Sequence, residues 1–186
     1  DLGTLIQEKL SADKKSLELN GFKLKVEDFN AISGFTPIKN LKHLSLDQTG
    51  LNSAGLQPLS ASDSFTNLKT LSLANNNLDD EAIFFLTKCS SLTQIDSLNL
   101  SSNELGSLGA KVLSLAAGLP SLKRLDLSYN RIEGLGLKSL VDSALFRQCT
   151  ELNLRDTGIG DEGLKFMAKA PPLESLITLN LSDNGL

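Results

Sequence analysis

No run of apolar residues in this chain is long enough to span a bilayer, and no segment has the layout of a signal peptide. Membrane insertion is therefore not expected. There are only two cysteines, Cys89 and Cys149, in 186 residues. Two thiols cannot build a disulfide framework, which makes a reducing compartment the expectation. The single histidine, His43, has no second imidazole with which to form a metal pair or a hydrolytic triad. No glycine-rich phosphate loop follows a strand pattern. Neither sign of charge dominates, with 18 Lys and Arg against 22 Asp and Glu, a net charge of -4. Such mild acidity gives no reason to expect nucleic acid or an anionic membrane as the main partner. What remains is an ordinary globular composition, 40% hydrophobic and 22% charged, enough for one domain with a continuous core.

What the chain does have is periodicity. Leu41-Lys-His-Leu44-Ser-Leu46 returns as Leu68-Lys-Thr-Leu71-Ser-Leu73 and as Ile95-Asp-Ser-Leu98-Asn-Leu100. It returns again as Leu122-Lys-Arg-Leu125-Asp-Leu127, Cys149-Thr-Glu-Leu152-Asn-Leu154 and Leu176-Ile-Thr-Leu179-Asn-Leu181. A divergent first copy begins at Lys14, with Leu17 and Leu19 in the paired positions, and every start lies 27 residues after the last. No insertion breaks this register.

Within a unit the period changes. The Leu-x-Leu pair alternates inward and outward, as a short strand with one buried face does. Three residues later comes a polar column of Asn76, Asn103, Asn130 and Asn184, with Thr49 and Thr157 in two units; two residues further is an apolar one, Leu24, Leu51, Leu78, Leu105, Ile132, Ile159 and Leu186. The other half carries apolar residues about one helical turn apart, such as Leu137 and Leu140, then Leu164 and Met167. Gly55, Gly109, Gly136 and Gly163 open that half, where neighbouring backbones are expected to approach closely. Each unit reads strand, turn, helix, turn. Successive parallel strands joined through helices cross over right-handedly, and stacking buries what no single unit can bury alone. The predicted fold is α/β, a right-handed solenoid with a parallel sheet on the concave face and helices on the convex one. Residues 1–13 are expected to form a capping helix, and 14–186 seven repeats, the last incomplete.

The phrase Leu-x-x-Leu-x-Leu-x-x-Asn-x-Leu resembles the leucine-rich-repeat family over residues 14–186. The 27-residue unit and the phrase Gly160-Asp-Glu-Gly-Leu164 resemble its ribonuclease-inhibitor subclass; Phe22 departs from the pattern where Asn is usual. That resemblance implies an intracellular, cytoplasmic protein that binds a folded partner on its concave face. The subclass includes enzyme inhibitors, activators of small GTPases and sensors of innate immunity, and injected bacterial effectors use such arrays too, which would place the protein in a host cytoplasm. The leading expectation is a non-catalytic inhibitor or adaptor that covers a partner's functional surface. The alternative is a regulator of a small GTPase. An enzyme is the least expected, because no nucleophile stands with a base.

Several features invite a chemical reading and are better read as structural. An inward amide at each turn satisfies backbone groups left unpaired by the bend. Cys89 and Cys149 occupy different apolar columns more than two repeats apart and read as buried small hydrophobes. Asn99-Leu-Ser101 and Asn180-Leu-Ser182 match a glycosylation sequon only because the repeat recurs. Asp79-Asp80-Glu81, like Asp161 and Glu162, suits the start of a helix; no metal or cofactor is expected. Lys15, Lys42, Lys69 and Lys123, interrupted by Asp96, form a row at one rim of the sheet. That row is either a solvated edge that discourages pairing or a rail for an acidic partner or nucleic acid; the solvated edge is favoured.

The partner site is expected where the concave face changes character. Thr70, Ser72, Ala74, Asn75, Ser97, Asn99, Ser101 and Ser102 make a small, neutral strip. The next two units present Arg124, Asp126, Tyr129 and Arg131, then Glu151, Asn153, Arg155 and Asp156. Tyr and Arg are the residues that dominate interfaces, and Tyr129 is the only tyrosine; the alternating charges could instead pair with one another across strands and stay merely solvated. At the amino end, Leu2 and Leu5 fall 27 residues before Phe29 and Ile32 and are expected to fill the same core columns. At the other end, Leu179 and Leu181 have no following helix, so a continuing chain or end-to-end contact with another chain is expected to cover that edge.

Overall fold

The computed structural model describes residues Asp1–Leu186. Seven three-residue strands form one parallel sheet in the order of the sequence: β1 Ser16–Glu18, β2 His43–Ser45, β3 Thr70–Ser72, β4 Ser97–Asn99, β5 Arg124–Asp126, β6 Glu151–Asn153 and β7 Thr178–Asn180. The central leucines pair in register from Leu17 through Leu44, Leu71, Leu98, Leu125 and Leu152 to Leu179. After α1 (Leu2–Lys9) come the crossover helices α2 (Val26–Gly34), α3 (Ser53–Ser60), α4 (Asp80–Lys88), α5 (Ser107–Ser114) and α6 (Glu133–Val141); a short α7 (Ala144–Gln148) and the last crossover, α8 (Gly160–Lys169), follow. Each crossover helix packs on the one before it. Strands repeat every ~4.8 Å whereas packed helices need about 8–10 Å. The sheet therefore lies on the inner side of the arc.

The core is one continuous cluster of 42 buried side chains running the length of the stack. Leu125, on which the register rests, is 2% exposed, and Leu127 is fully enclosed. Removing such area from water is worth about 25 cal/mol per Å², and here every unit shares its area with the next. The glycine column marks where helices approach most closely. A Cβ on Gly136 would lie 3.0 Å from the Ala110 Cβ and 3.2 Å from the Ser107 Cα. Ala82 stands in the same column, fully buried, so the approach is looser at α4.

The polar column does what an inward amide must. The Asn76 Oδ1 accepts from the backbone N–H of Thr49, Gly50 and Leu51 at 3.0–3.1 Å, while its Nδ2 donates to the carbonyls of Leu46, Leu73 and Ala74. Asn103, Asn130 and Asn184 repeat the arrangement. No buried side-chain nitrogen or oxygen is left without a partner. Helix starts are capped as their sequences suggest. Asn52 accepts from the Gly55 N–H, and Asp79 from those of Glu81 and Ala82. A hydrogen bond from Ser53, with these backbone donors, holds the Asp79 carboxyl below its usual range.

Two expectations change. The second turn of a unit, read only as a turn, carries further helix in three units: single helical turns occupy Thr36–Ile38 and Asp63–Phe65, and α7 occupies Ala144–Gln148. Each must bury an apolar side chain (Ile38, Phe65 or Phe146) on the way back to the sheet, and a helical turn does so while bonding its own backbone. At the amino end, Phe29 and Ile32 are buried, but the buried residue of α1 is Ile6; Leu2 and Leu5 only half-bury against the core. The cause is the tight return after α1. Leu10 bridges antiparallel to Leu17, and Ser11 bonds the Ser16 carbonyl. The helix thus lies against β1, rotated relative to a crossover helix. At the far end Leu179 is 36% exposed.

Candidate functional site

The sheet face is built from the outward residues of the strands and from the turns after them. Its amino-terminal half is small and largely self-satisfied. His43 Nδ1 shares a hydrogen bond with the Thr70 hydroxyl at 2.8 Å, Ser45 donates to Asn20, and Ser72 donates to Asp47. Ala74, expected on this surface, is instead buried at 4% exposure. Its backbone N–H donates to Asp47. Ser128 occupies the same column and is buried too, whereas Arg155, in the same column, is exposed.

Of the eight residues expected to form the partner site, seven line two hollows. Arg124, Asp126, Glu151 and Asn153 line one of about 420 Å³ over β4 to β7, which Thr178 and Asn180 also line. Tyr129, Arg131 and Asp156 line another of about 600 Å³ at the carboxyl rim of the strands, with Asn103, Glu104 and Asn130. Arg155 lines neither: its guanidinium lies 5.5 Å from the centroid of the Tyr129 ring and its Nε donates to Asp183 at 2.7 Å.

Two ion pairs were not visible from local motifs. Arg124 stands in register opposite Glu151, yet its guanidinium bonds Asp96 at 2.6 Å. Arg155 bonds Asp183. Both pairs span 28 residues, one repeat plus one, which is the diagonal of the ladder. That offset was the available signal.

The turn after each strand carries a further row. Gly21, Gln48, Asn75, Ser102, Tyr129, Asp156 and Asp183 all have positive φ, between 49° and 77°. Each N–H in this row from Gly21 to Asp156 donates to a carbonyl of the following unit at 2.8–3.0 Å, as Tyr129 does to Arg155. Glycine, asparagine and aspartate tolerate this left-handed region, and an aromatic residue does not favour it. Tyr129 is nevertheless held there, 45% exposed.

A sequence profile described as Leucine Rich repeat matches residues 66–86, 88–114, 118–141 and 150–168. Those segments are leucine-rich repeats, and the same strand-and-helix unit recurs along the stack. No curated protein sequence matches the chain. Solved leucine-rich-repeat and related structures do resemble it. Actin-binding site 2 of leiomodin-1 superposes with a TM-score of 0.54 at 15% identity, over 90% of this chain and 83% of that one. A TLR13 complex with ssRNA13 gives 0.51 at 21%, over 94% of this chain and 27% of that one. The tropomodulin carboxy-terminal domain of Caenorhabditis elegans gives 0.49 at 15%, over 94% and 92%. At such identities the likeness is one of fold.

The remaining candidates take structural places among the leucine-rich repeats. Cys89 and Cys149 are free and buried, and burial pushes the Cys149 thiol up to about 11. Asn99 and Asn180 each accept the backbone N–H two residues on, which is turn chemistry. In the lysine row, Lys15 meets Asp13, Lys69 meets Gln94, and Lys123 meets the Gln148 carbonyl. No three His, Cys, Asp or Glu side chains are grouped to hold a metal ion.

Proposed function

We propose that this chain is a non-catalytic module that covers part of a folded protein with its sheet face, as an inhibitor or adaptor does, with Tyr129 at the centre of contact. The observation that carries this reading is the backbone of Tyr129. Holding a bulky residue at φ 56° costs on the order of 1 kcal/mol. Elsewhere in the row the stack is built with glycine, Gln, Asn, Ser or Asp. The aromatic ring is thus not a requirement of the fold, and it lines the rim hollow with Arg155 beside it. A tyrosine so placed gives large contact area at low entropic cost. Supporting the reading, the similarly folded domain of leiomodin-1 is an actin-binding site. A 27-residue unit with a helix after each of the first six strands also supports the ribonuclease-inhibitor-like subclass.

The test is affinity capture with the purified chain, Tyr129→Asn and Ser101→Ala. Asn accepts the left-handed turn, and Ser101 lies on the neutral strip with no side-chain hydrogen bond within the chain. A protein retained by the parent and by Ser101→Ala, and reduced about tenfold or more by Tyr129→Asn, is the expected result. Equal retention by all three, or equal loss in both variants, refutes the proposal.

A further inference from the structure

We infer that the protein surface docking on the sheet face is basic, presenting lysine or arginine side chains to β5, β6 and the turns beyond them. The inference rests on the sheet face being the binding face. It then follows from the balance of charge on that face. Three arginines stand in the patch, which looks well supplied with cations. Two of them are already neutralised from within the chain, Arg124 by Asp96 at 2.6 Å and Arg155 by Asp183 at 2.7 Å. Arg131 is left, in no ion pair.

The carboxylates are not matched in the same way. Glu151 and Asp156 are exposed and take part in no ion pair or side-chain hydrogen bond. Glu104 is exposed and receives only the neutral amide of Asn77 at 3.2 Å. Asp126 accepts from the Ser128 N–H and hydroxyl and from the Asn153 amide. All of these donors are uncharged, so its negative charge remains. Four uncompensated carboxylates therefore face one uncompensated guanidinium. These acids lie spread over two hollows without converging on a metal-sized point. Separate cations at side-chain spacing suit them.

A second feature points the same way. Within the rim hollow, the half-exposed Tyr129 ring stands with Glu104 and Asp156 among the lining residues. An aromatic ring beside carboxylates is a receptor for a cationic side chain, through ring quadrupole and charge together. The chain's own Arg155 already uses the ring so, at 5.5 Å from its centroid. A net charge of -4 adds long-range steering of the same sign.

The experiment uses two folded probes of one architecture and opposite charge, lysozyme (cationic) and α-lactalbumin (anionic), titrated at low ionic strength. The intact chain is compared with Glu151→Lys/Asp156→Lys. A control, Glu81→Lys/Glu162→Lys, makes the same change of charge on the outer helices. The chain is expected to prefer the cationic probe. The sheet-face double variant should weaken it about tenfold, and the helix-side control less than about threefold. Carbodiimide coupling should then join probe lysines to Glu104, Glu151 or Asp156. Preference for the anionic probe, no measurable binding of the cationic one, or equal effects of the two double variants overturns the inference. If Tyr129→Asn still abolishes capture of a natural partner while the anionic probe is preferred, the binding face stands and its basic partner does not. If Tyr129→Asn is also without effect, the face itself is wrong.

Discussion

Replacing Asn76 with alanine removes the acceptor of three backbone donors at once. The N–H groups of Thr49, Gly50 and Leu51 all bond its Oδ1, and Thr49 and Leu51 are fully buried. The carbonyls it serves fare better. Leu46 keeps the Thr49 hydroxyl, Leu73 keeps Asn103, and Ala74 keeps the Gln48 N–H. The loss thus falls on the donors. Each buried unsatisfied donor costs about 1–3 kcal/mol, and two buried with one half-buried give roughly 3–5 kcal/mol. For a chain of this size each kcal/mol is worth about 2–4 °C in Tm, so melting should fall by roughly 6–20 °C. Urea unfolding followed by far-UV circular dichroism measures the change. Asn77→Ala is the companion, because Asn77 is exposed and makes one side-chain bond, to Glu104; it should lie within about 0.5 kcal/mol of the parent. A loss below about 1 kcal/mol for Asn76→Ala would show that water or backbone adjustment satisfies the turn, and the structural reading of the whole asparagine column would fall with it.

Gly136→Ala should destabilise by about 1–3 kcal/mol through overpacking against Ala110 and Ser107, against a helix-propensity gain of about 1 kcal/mol. Gly34→Ala, where an added Cβ meets nothing, should be neutral or stabilising; the reverse order in thermal melts refutes the close-approach argument. The Cys149 thiol, raised from 9.0 to about 11 by burial, is neutral in the folded state until well above the pH at which the unfolded chain ionises. Its stabilising contribution is therefore complete below about pH 9 and disappears as pH rises through 11. Between pH 8 and 10.5 the parent should lose about 2 kcal/mol more than Cys149→Val, and parallel losses in urea titrations would contradict the assigned burial.

The strand positions, the parallel register and the inward asparagines were legible because each follows from one strong local preference repeated at a fixed interval. Leu125 and Leu152 had only one face to bury, so their pairing left little choice. The rotation of α1 was not legible, because it depends on the Ser11–Ser16 return and not on the period. Ala74 was misplaced because alternation was extended two residues beyond the strand, into the turn. The arginines of the patch were legible as cations, but not that two of them are neutralised from within the chain. Their partners, Asp96 and Asp183, lie on diagonals that a column-by-column alignment hides.

The left-handed row has a consequence for how such a stack can be altered. Backbone geometry there is fixed by bonds to the next unit and is the same whether the side chain is Gln48, Ser102, Tyr129 or Asp156. Side-chain identity is consequently uncoupled from the path of the chain, and a substitution in the row exchanges a modest conformational penalty for reach into solvent. The row acts as a set of addressable mounts, at strand pitch of ~4.8 Å, on which recognition chemistry can be re-sorted one unit at a time without disturbing the leucines beneath.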